Sequence, residues 1–397
     1  MGEGVAKVEP FQESRAQVAT RYATLVLFLA VLCADIVGNL LHDAVKTTAS
    51  IPRPEPTEEQ ILDGSASKKI ETWLQERSWA NYQIRGLYNE TRLQLGILES
   101  EEVAIRRDAW MFLRSDLRPD LKTFDAVRPF RMRHLKELRR VAEALGVKVV
   151  AIVGPNKSTI YPEIAFDAGT FPPGYERVMD TLLADLREAG FPVRDVRELL
   201  RESNRRGEPT YYARDTHWNN HGAQLVAKVF VEMLREQGLA LPIDDGASVT
   251  CSDFEPSWFV PDLLGNLGLR SAIKNDELSP LASIAALQEQ RLKMPTFVEQ
   301  GGARRPRRLN NRDALVAVVG DSFSIPVGQS LTLELDHEVN CEESMGGTAP
   351  SERLYRTLER VRKGEFKCRF VAWEFVERWG AGNWWGAPIP AWTKEVR

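Results

Sequence analysis

Two short stretches hold residue types that can do covalent chemistry together. In ALVAVVGDSFS, residues 314–324, an apolar run leads straight into Gly-Asp-Ser, so Ser322 falls on the tight turn between a strand and the next helix. In RDTHWNNHGA, residues 214–223, Asp215 and His217 are crowded just ahead of a helical segment, in a chain with only five histidines. A serine hydroxyl is a poor nucleophile at neutral pH; it needs a base, and the base needs an acid to orient it. Residues two apart do not share a helix face. In a turn before a helix, however, a carboxylate folds back onto the imidazole two residues on, fixes one tautomer and leaves the other nitrogen for Ser322. Backbone N–H groups at the helix start can hold a developing oxyanion, and Gly320 lets the chain turn sharply. Taken alone, Asp215 with Thr216 is a helix cap and Gly-Asp-Ser is a turn that binds nothing. Both motifs at one edge of the same sheet favour a Ser322–His217–Asp215 set for acyl transfer.

That edge must be built by the elements around it. From about Arg131 helices and strands alternate. RMRHLKELRRVAEALG is amphipathic with a stop at Gly146, and VKVVAIVGP, residues 147–155, is a continuous apolar strand. A helix follows over 175–189, a strand at FPVRDV (191–196) and a helix over about 222–237. After a less regular stretch, 239–312, the alternation resumes with 314–319, HEVNCEES, a helix over 351–363 and the strand FKCRFVAWEF. Upstream, VAIRRDAWMFLRSD (103–116) reads as a hairpin. Alternation predicts an α/β fold with a mostly parallel sheet covered by helices on both faces, its chemistry at the carboxyl ends of the strands.

Composition narrows the classes. With 43% hydrophobic and 27% charged residues the chain is globular, and a net charge of -4 gives no electrostatic reason to expect a nucleic-acid partner. The four cysteines, Cys33, Cys251, Cys341 and Cys368, form no CxxC pair and no cluster of zinc spacing, so no metal and no cofactor is expected. They leave room for one disulfide or for separate thiols.

The only long apolar run is YATLVLFLAVLCADIVGNLL, residues 22–41, about the length that crosses a bilayer. Lys7, Arg15 and Arg21 precede it, favouring a cytoplasmic amino terminus. No small-x-small cleavage site stands out, so it reads as a retained anchor rather than a cleaved signal. The expected organisation is a cytoplasmic tail (1–21), a transmembrane signal anchor (22–41), a proline-rich linker (42–65) and one domain (66–397) carrying an insertion at 239–312. A single-pass protein of the bacterial inner membrane, with its catalytic domain in the periplasm, follows from that order.

The combined pattern resembles the SGNH hydrolase-like proteins of the alginate O-acetyltransferase group, the AlgJ/AlgX family. DAWMFL (108–113) is similar to the family's GWLF-type segment, GPNKSTIYPE (154–163) to its PxK…YPE segment, and VAWEFVER (371–378) to its closing WExxER; DTHW (215–218) and GDSFS (320–324) match most specifically. The Asp–His pair precedes the serine, as in that circularly permuted group. The resemblance implies a three-layer α/β/α SGNH fold, with Ser322 taking an acetyl group, His217 shuttling the proton and Asp215 orienting it. It implies an oxyanion N–H from Gly346 or Gly347 in SMGGTAP. No GxND follows the last strand, so the usual asparagine donor is missing and Asn156, at another strand end, is the candidate substitute. The implied activity is O-acetylation of a secreted polysaccharide such as alginate, with a membrane-bound O-acyltransferase as donor partner. An acetylesterase using the same residues, or an inactive polysaccharide-binding or scaffold domain, are the alternatives.

Five further groups are candidates beside these. Lys157, at a strand's carboxyl end, either meets an anionic sugar or acyl donor or is a solvated loop lysine. Arg378 and Glu374 either line the cleft or form a structural pair. Of the carboxyl-terminal tryptophans Trp373, Trp379, Trp384, Trp385 and Trp392, the first reads as core; the others pack the sheet end or present a sugar platform. His221 reads as a first-turn helix residue rather than a catalyst, and RRPRR (304–308) as the solvated edge of the insertion.

Overall fold

The computed structural model describes residues 100–241, 261–267, 311–343 and 349–396, with strand residues 255–259, 289–293, 297–300 and 303–306 and scattered positions between 20 and 95. The chain falls into two compact units, Met1–Leu98 with Gly268–Leu281, and Glu99–Leu267 with Ala282–Arg397. In the first, the described residues from 22 to 27 are helical. Among the described residues no helix is long and apolar enough to cross a membrane, and much of 22–41 lies outside them.

The second unit opens with an antiparallel hairpin, β1 (Val103–Ile105) and β2 (Met111–Leu113). Helix α1 (Leu121–Ala144) follows, capped by Asp120, whose carboxylate accepts the N–H groups of Lys122 and Thr123. Strand β3 (Lys148–Gly154), α2 (Arg177–Glu188), α3 (Arg197–Arg205) and α4 (Asn220–Glu236) come next. The 239–312 stretch supplies two antiparallel pairs, β4 (Glu255–Phe259) with β5 (Glu289–Lys293) and β6 (Phe297–Gln300) with β7 (Ala303–Pro306), and the short helix α5 (Asp262–Asn266). The alternation then closes with β8 (Val316–Gly320), α6 (Ser324–Leu335), β9 (Asn340–Glu343), α7 (Pro350–Arg362) and β10 (Phe370–Val376).

The central sheet has the order β3-β10-β8-β9 and is parallel throughout. Its strands alternate between two cores. Val150, Ile152, Val316, Val318 and Ala372 face α4 and α6, while Val149, Ala151, Val153, Val319 and Trp373 face α1, α2 and α7. Both faces are therefore covered, which is why the strands read as unbroken apolar runs. Register puts Gly154 beside Val376 and Val319 beside Trp373, so β3, β8 and β10 end at one edge.

Two expectations are corrected. FPVRDV does not make a full strand: it contributes one parallel bridge, Val193 to Ala151, with the Ala151 N–H donating to the Pro192 carbonyl at 2.9 Å. A proline in that segment removes a ladder donor. The helix expected to begin at Arg131 starts ten residues earlier, at Leu121, and carries Pro129 inside it.

Candidate active site

The nucleophile turn is shaped by a lack of room. A Cβ on Gly320 would lie 2.6 Å from Ser324 Cβ and 2.8 Å from the Glu374 carbonyl oxygen, so only glycine fits where β8 runs into the turn. Asp321 then pins the turn from below. Its side chain accepts the N–H groups of Phe323 (2.9 Å) and Val376 (3.1 Å), and its carbonyl accepts the N–H and the hydroxyl of Ser324. Those bonds engage the Phe323 and Ser324 amides at the start of the helix. They also tie the turn to the end of β10 and leave the Ser322 side chain facing outward.

The loop carrying Asp215 and His217 runs from Tyr211 to Trp218, closed by a bridge between those two residues and by the Tyr212 N–H on the His217 carbonyl. Lys157 holds it from inside. Its ammonium is buried and donates to the carbonyls of Tyr212 (3.2 Å), Ala213 (3.0 Å) and Asp215 (2.7 Å), above the Phe112 ring at 4.9 Å. A buried cation survives only when so compensated. This corrects the solvated-loop reading of Lys157: the ammonium is buried and braces the loop. Trp218 is also buried, and its indole N–H donates to the Phe323 carbonyl at 3.0 Å, joining the loop to the nucleophile turn.

The two motifs meet. His217 Nδ1 lies 2.6 Å from Asp215 Oδ1, and His217 Nε2 lies 2.7 Å from Ser322 Oγ. Asp215 also accepts the His217 N–H on Oδ1 (3.0 Å) and the Asp262 N–H on Oδ2 (2.7 Å). Burial pushes the Asp215 carboxyl up, but the His217 hydrogen bond and charge and these N–H groups outweigh it and hold it at about 2. Burial works against a proton on His217, yet Asp215, and after it Asp262, raise its pKa above the ordinary value.

Asp262, on α5 of the insertion, is the residue that sequence reasoning missed. Its carboxylate accepts the Thr216 N–H at 2.8 Å and the Thr216 hydroxyl at 2.5 Å, and lies 3.6 Å from His217 Nδ1. Burial, and then the neighbouring Asp215, raise its pKa. Among the described residues Asp215, His217 and Asp262 are the cluster whose donor atoms come close enough to share a metal ion. The hydrogen bonds just described engage all three, with each carboxylate turned to a proton of its neighbours.

The remaining candidates are spread around this centre. Asn156, at the end of β3, is buried and donates its backbone N–H to Glu377 Oε2 at 3.0 Å. Arg378 lies over the Phe323 ring at 5.1 Å, with Nη1 3.6 Å from Asp116 Oδ2. Glu374 lies within the core, not in the cleft; its carboxyl fits between β3 and β8 because Gly154 and Gly320 leave space there. Trp373 and Trp385 are core, whereas Trp384 is 36% exposed. His221 sits in the first turn of α4, with Nε2 2.8 Å from Ser203 Oγ. Gly346 and Gly347 lie outside the described residues.

A covered parallel sheet, with a serine on the turn after one strand and a histidine–aspartate loop brought to the same edge, defines an SGNH hydrolase-like protein. The family described as "SGNH hydrolase-like domain, acetyltransferase AlgX" matches residues 103–377, and the chain belongs to it: it is an SGNH-type acetyltransferase. Among curated proteins it is 26% identical over 290 residues to the probable alginate O-acetylase AlgJ of Pseudomonas aeruginosa, covering 70% of each chain. To the AlgJ of Pseudomonas putida it is 22% identical over 366 residues, covering 87% of this chain and 88% of that one. The solved O-acetyltransferase domain of Pseudomonas putida AlgJ matches with a TM-score of 0.56 at 20% identity, over 74% of this chain and 98% of that one, a likeness of fold.

Proposed function

We propose that the protein O-acetylates hydroxyl groups of a polysaccharide outside the cytoplasmic membrane through Ser322, His217 and Asp215. The reading is carried by one observation: a single imidazole lies 2.6 Å from a carboxylate and 2.7 Å from a serine hydroxyl 105 positions away. Ser322 Oγ attacks the acetyl carbonyl of the donor while its proton passes to His217 Nε2. Collapse of the tetrahedral intermediate expels the donor's leaving group, which takes that proton, and leaves an acetyl ester on Ser322. A sugar hydroxyl then attacks the ester and gives its proton to His217. Collapse releases the O-acetyl sugar and returns the proton to Ser322 Oγ. Asp215, held ionised, stabilises the imidazolium in both halves. The Ser322 N–H and the amides of Gly346 or Gly347 are the proposed oxyanion donors.

The names of the AlgJ relatives support alginate or a similar exopolysaccharide as the acceptor. A membrane-bound O-acyltransferase is the proposed supplier of acetyl groups. Residues 22–41 are the proposed inner-membrane anchor, which puts the acetyltransferase domain in the periplasm; in support, Leu25, Val26 and Leu27 are apolar and exposed.

The test is a serine-directed acetyl donor, peptide mapping of the acetylated residue, and transfer to an oligosaccharide. Acetyl ester on Ser322 and O-acetyl sugar are expected, with a loss of about 10⁴-fold or more in Ser322→Ala while the chain stays folded. Retained turnover in that variant overturns the assignment. Acetyl-enzyme that only hydrolyses makes the protein an esterase. A folded chain inert to the donor makes it a binding or scaffold domain.

A further inference from the structure

Beneath the nucleophile turn lie two carboxyl groups and one cation, all buried: Asp321 is 2% exposed, Glu374 0% and Arg353 5%. The cation serves Asp321. Arg353 reaches from α7 to put Nη1 4.0 Å from Asp321 Oδ2, and the Phe323 and Val376 N–H groups donate to the same carboxylate. Glu374, within β10, has no such company. No N–H or O–H group of the described residues reaches either of its carboxyl oxygens in hydrogen-bond geometry, and both oxygens are closed to solvent.

The slot is shaped for this carboxyl. It lies between the neighbouring strands, where a Cβ on Gly154 would come 2.9 Å from Oε1 and one on Gly320 2.7 Å from Oε2. Two donors that border it are committed elsewhere: the Trp218 indole N–H to the Phe323 carbonyl, and the Tyr211 hydroxyl to the Pro155 carbonyl. An ionised carboxylate without donors is too costly in such a place, and the group keeps its proton instead. Burial, and then the Asp321 charge, push the Glu374 pKa well above the ordinary value, against the pull of Arg353 and of the Asp321 N–H. A neutral carboxyl carries an O–H that needs an acceptor, and the Asp321 carboxylate beside it is that acceptor.

We propose that Glu374 is a positioning residue for acetyl transfer: its carboxyl O–H donates to the Asp321 carboxylate, and this bond holds the turn that aims Ser322 at His217 Nε2. Asp321 joins the Phe323 N–H of the turn to the Val376 N–H at the end of β10, so whatever fixes its carboxylate fixes the turn. An apolar side chain at position 374 would fill the slot and leave Asp321 one donor short. The catalytic consequence rests on the acetyl-transfer reading; the carboxyl pair itself does not.

The test begins with infrared difference spectra of the full-length wild type against Glu374→Gln at about pH 8, where an ordinary carboxyl is ionised. A carboxylic-acid C=O band is expected in the wild type and missing from the variant; no such band overturns the proposal. The band is expected to move to higher wavenumber in Asp321→Asn, where the O–H meets a neutral acceptor, and an unmoved band overturns the pairing. Acetyl release from p-nitrophenyl acetate then reads the turn. Glu374→Gln, whose amide N–H still donates to Asp321, is expected to lose less than about 3-fold in kcat. Glu374→Met, of similar length but without a donor, is expected to lose about 10- to 100-fold in kcat with little change in KM while it stays folded. A Glu374→Met chain as active as the wild type, or a Glu374→Gln chain as impaired as Glu374→Met, overturns the proposal. The infrared shift carries the test if Glu374→Met does not fold. A wild type that releases acetyl no faster than Ser322→Ala, with the band present and shifted as expected, defeats the catalytic assignment and leaves the carboxyl pair standing.

Discussion

Asp262 places a second carboxylate against the base, 3.6 Å from His217 Nδ1 and next to the one Asp215 already supplies. The charge has a calculable direction. An ionised Asp262 favours the imidazolium, so the wild-type base is protonated up to a higher pH than Asp215 alone would require. Asp262→Asn removes that charge but keeps the backbone N–H on Asp215 Oδ2. The acidic limb of the pH–kcat/KM profile for acetyl transfer is therefore expected to move to lower pH in Asp262→Asn, with the plateau reduced by less than in Asp215→Asn. An unmoved limb would show that Asp262 acts on Thr216 alone. The contrast with the other site residues explains what sequence reveals. Asp215, His217 and Ser322 were legible because each lies in a short motif whose local turn fixes its geometry. Asp262 lies in PDLLGN, and its partners are 46 and 47 positions away, a separation no local pattern encodes.

At the scale of elements, the strand-to-turn junction at Gly320 is the most demanding. Its Cβ space is filled by Ser324 Cβ and by the Glu374 carbonyl of the neighbouring strand, and neither can move without shifting α6 or β10. Gly320→Ala is expected to cost about 1–3 kcal/mol of stability, as overpacking does, and to lower acetyl transfer further because the Ser322 turn moves off His217 Nε2. Thermal melting with activity on the same preparation checks it; a variant as stable and active as the parent would mean the turn is looser than its contacts imply. Elements with strong periodicity were read from sequence nearly to their ends, as with α2 and α7. Errors came where a proline carried two meanings. The helix expected from about Arg131 begins at the Asp120 cap and runs through Pro129, and Pro192 leaves the segment expected as a strand with one bridge. The insertion read as loops; among the described residues its strands pair as two separate hairpins, and α5 carries Asp262 to the site.

At the scale of the whole molecule, the sheet gathers acids at its functional edge. Glu374 and Glu377 are buried on or just after β10, Asp116 lies beside Arg378, and burial raises the pKa of all three. Glu377 gives the measurable case. Burial pushes it up to about 7, against the pull of the Asn156 N–H and the Thr159 hydroxyl on its Oε2 and of the more distant Arg197, and with added repulsion from Asp116. A carboxyl whose folded pKa exceeds its unfolded one costs nothing while both states are protonated. The cost grows as pH rises from the ordinary value near 4.5 and is complete above about 7. Roughly 2.5 pH units at ~1.4 kcal/mol each make it about 3 kcal/mol. Stability should therefore fall between pH 4.5 and 7, and Glu377→Gln, neutral throughout, should remove that share of the slope. Urea melts at pH 5 and pH 8 on both proteins give the comparison: the variant is expected to gain relative to the parent at pH 8 over pH 5. Equal differences at the two pH values would mean that Glu377 ionises in the folded protein as readily as in the unfolded chain. The edge of the sheet would then be wetter than its packing implies.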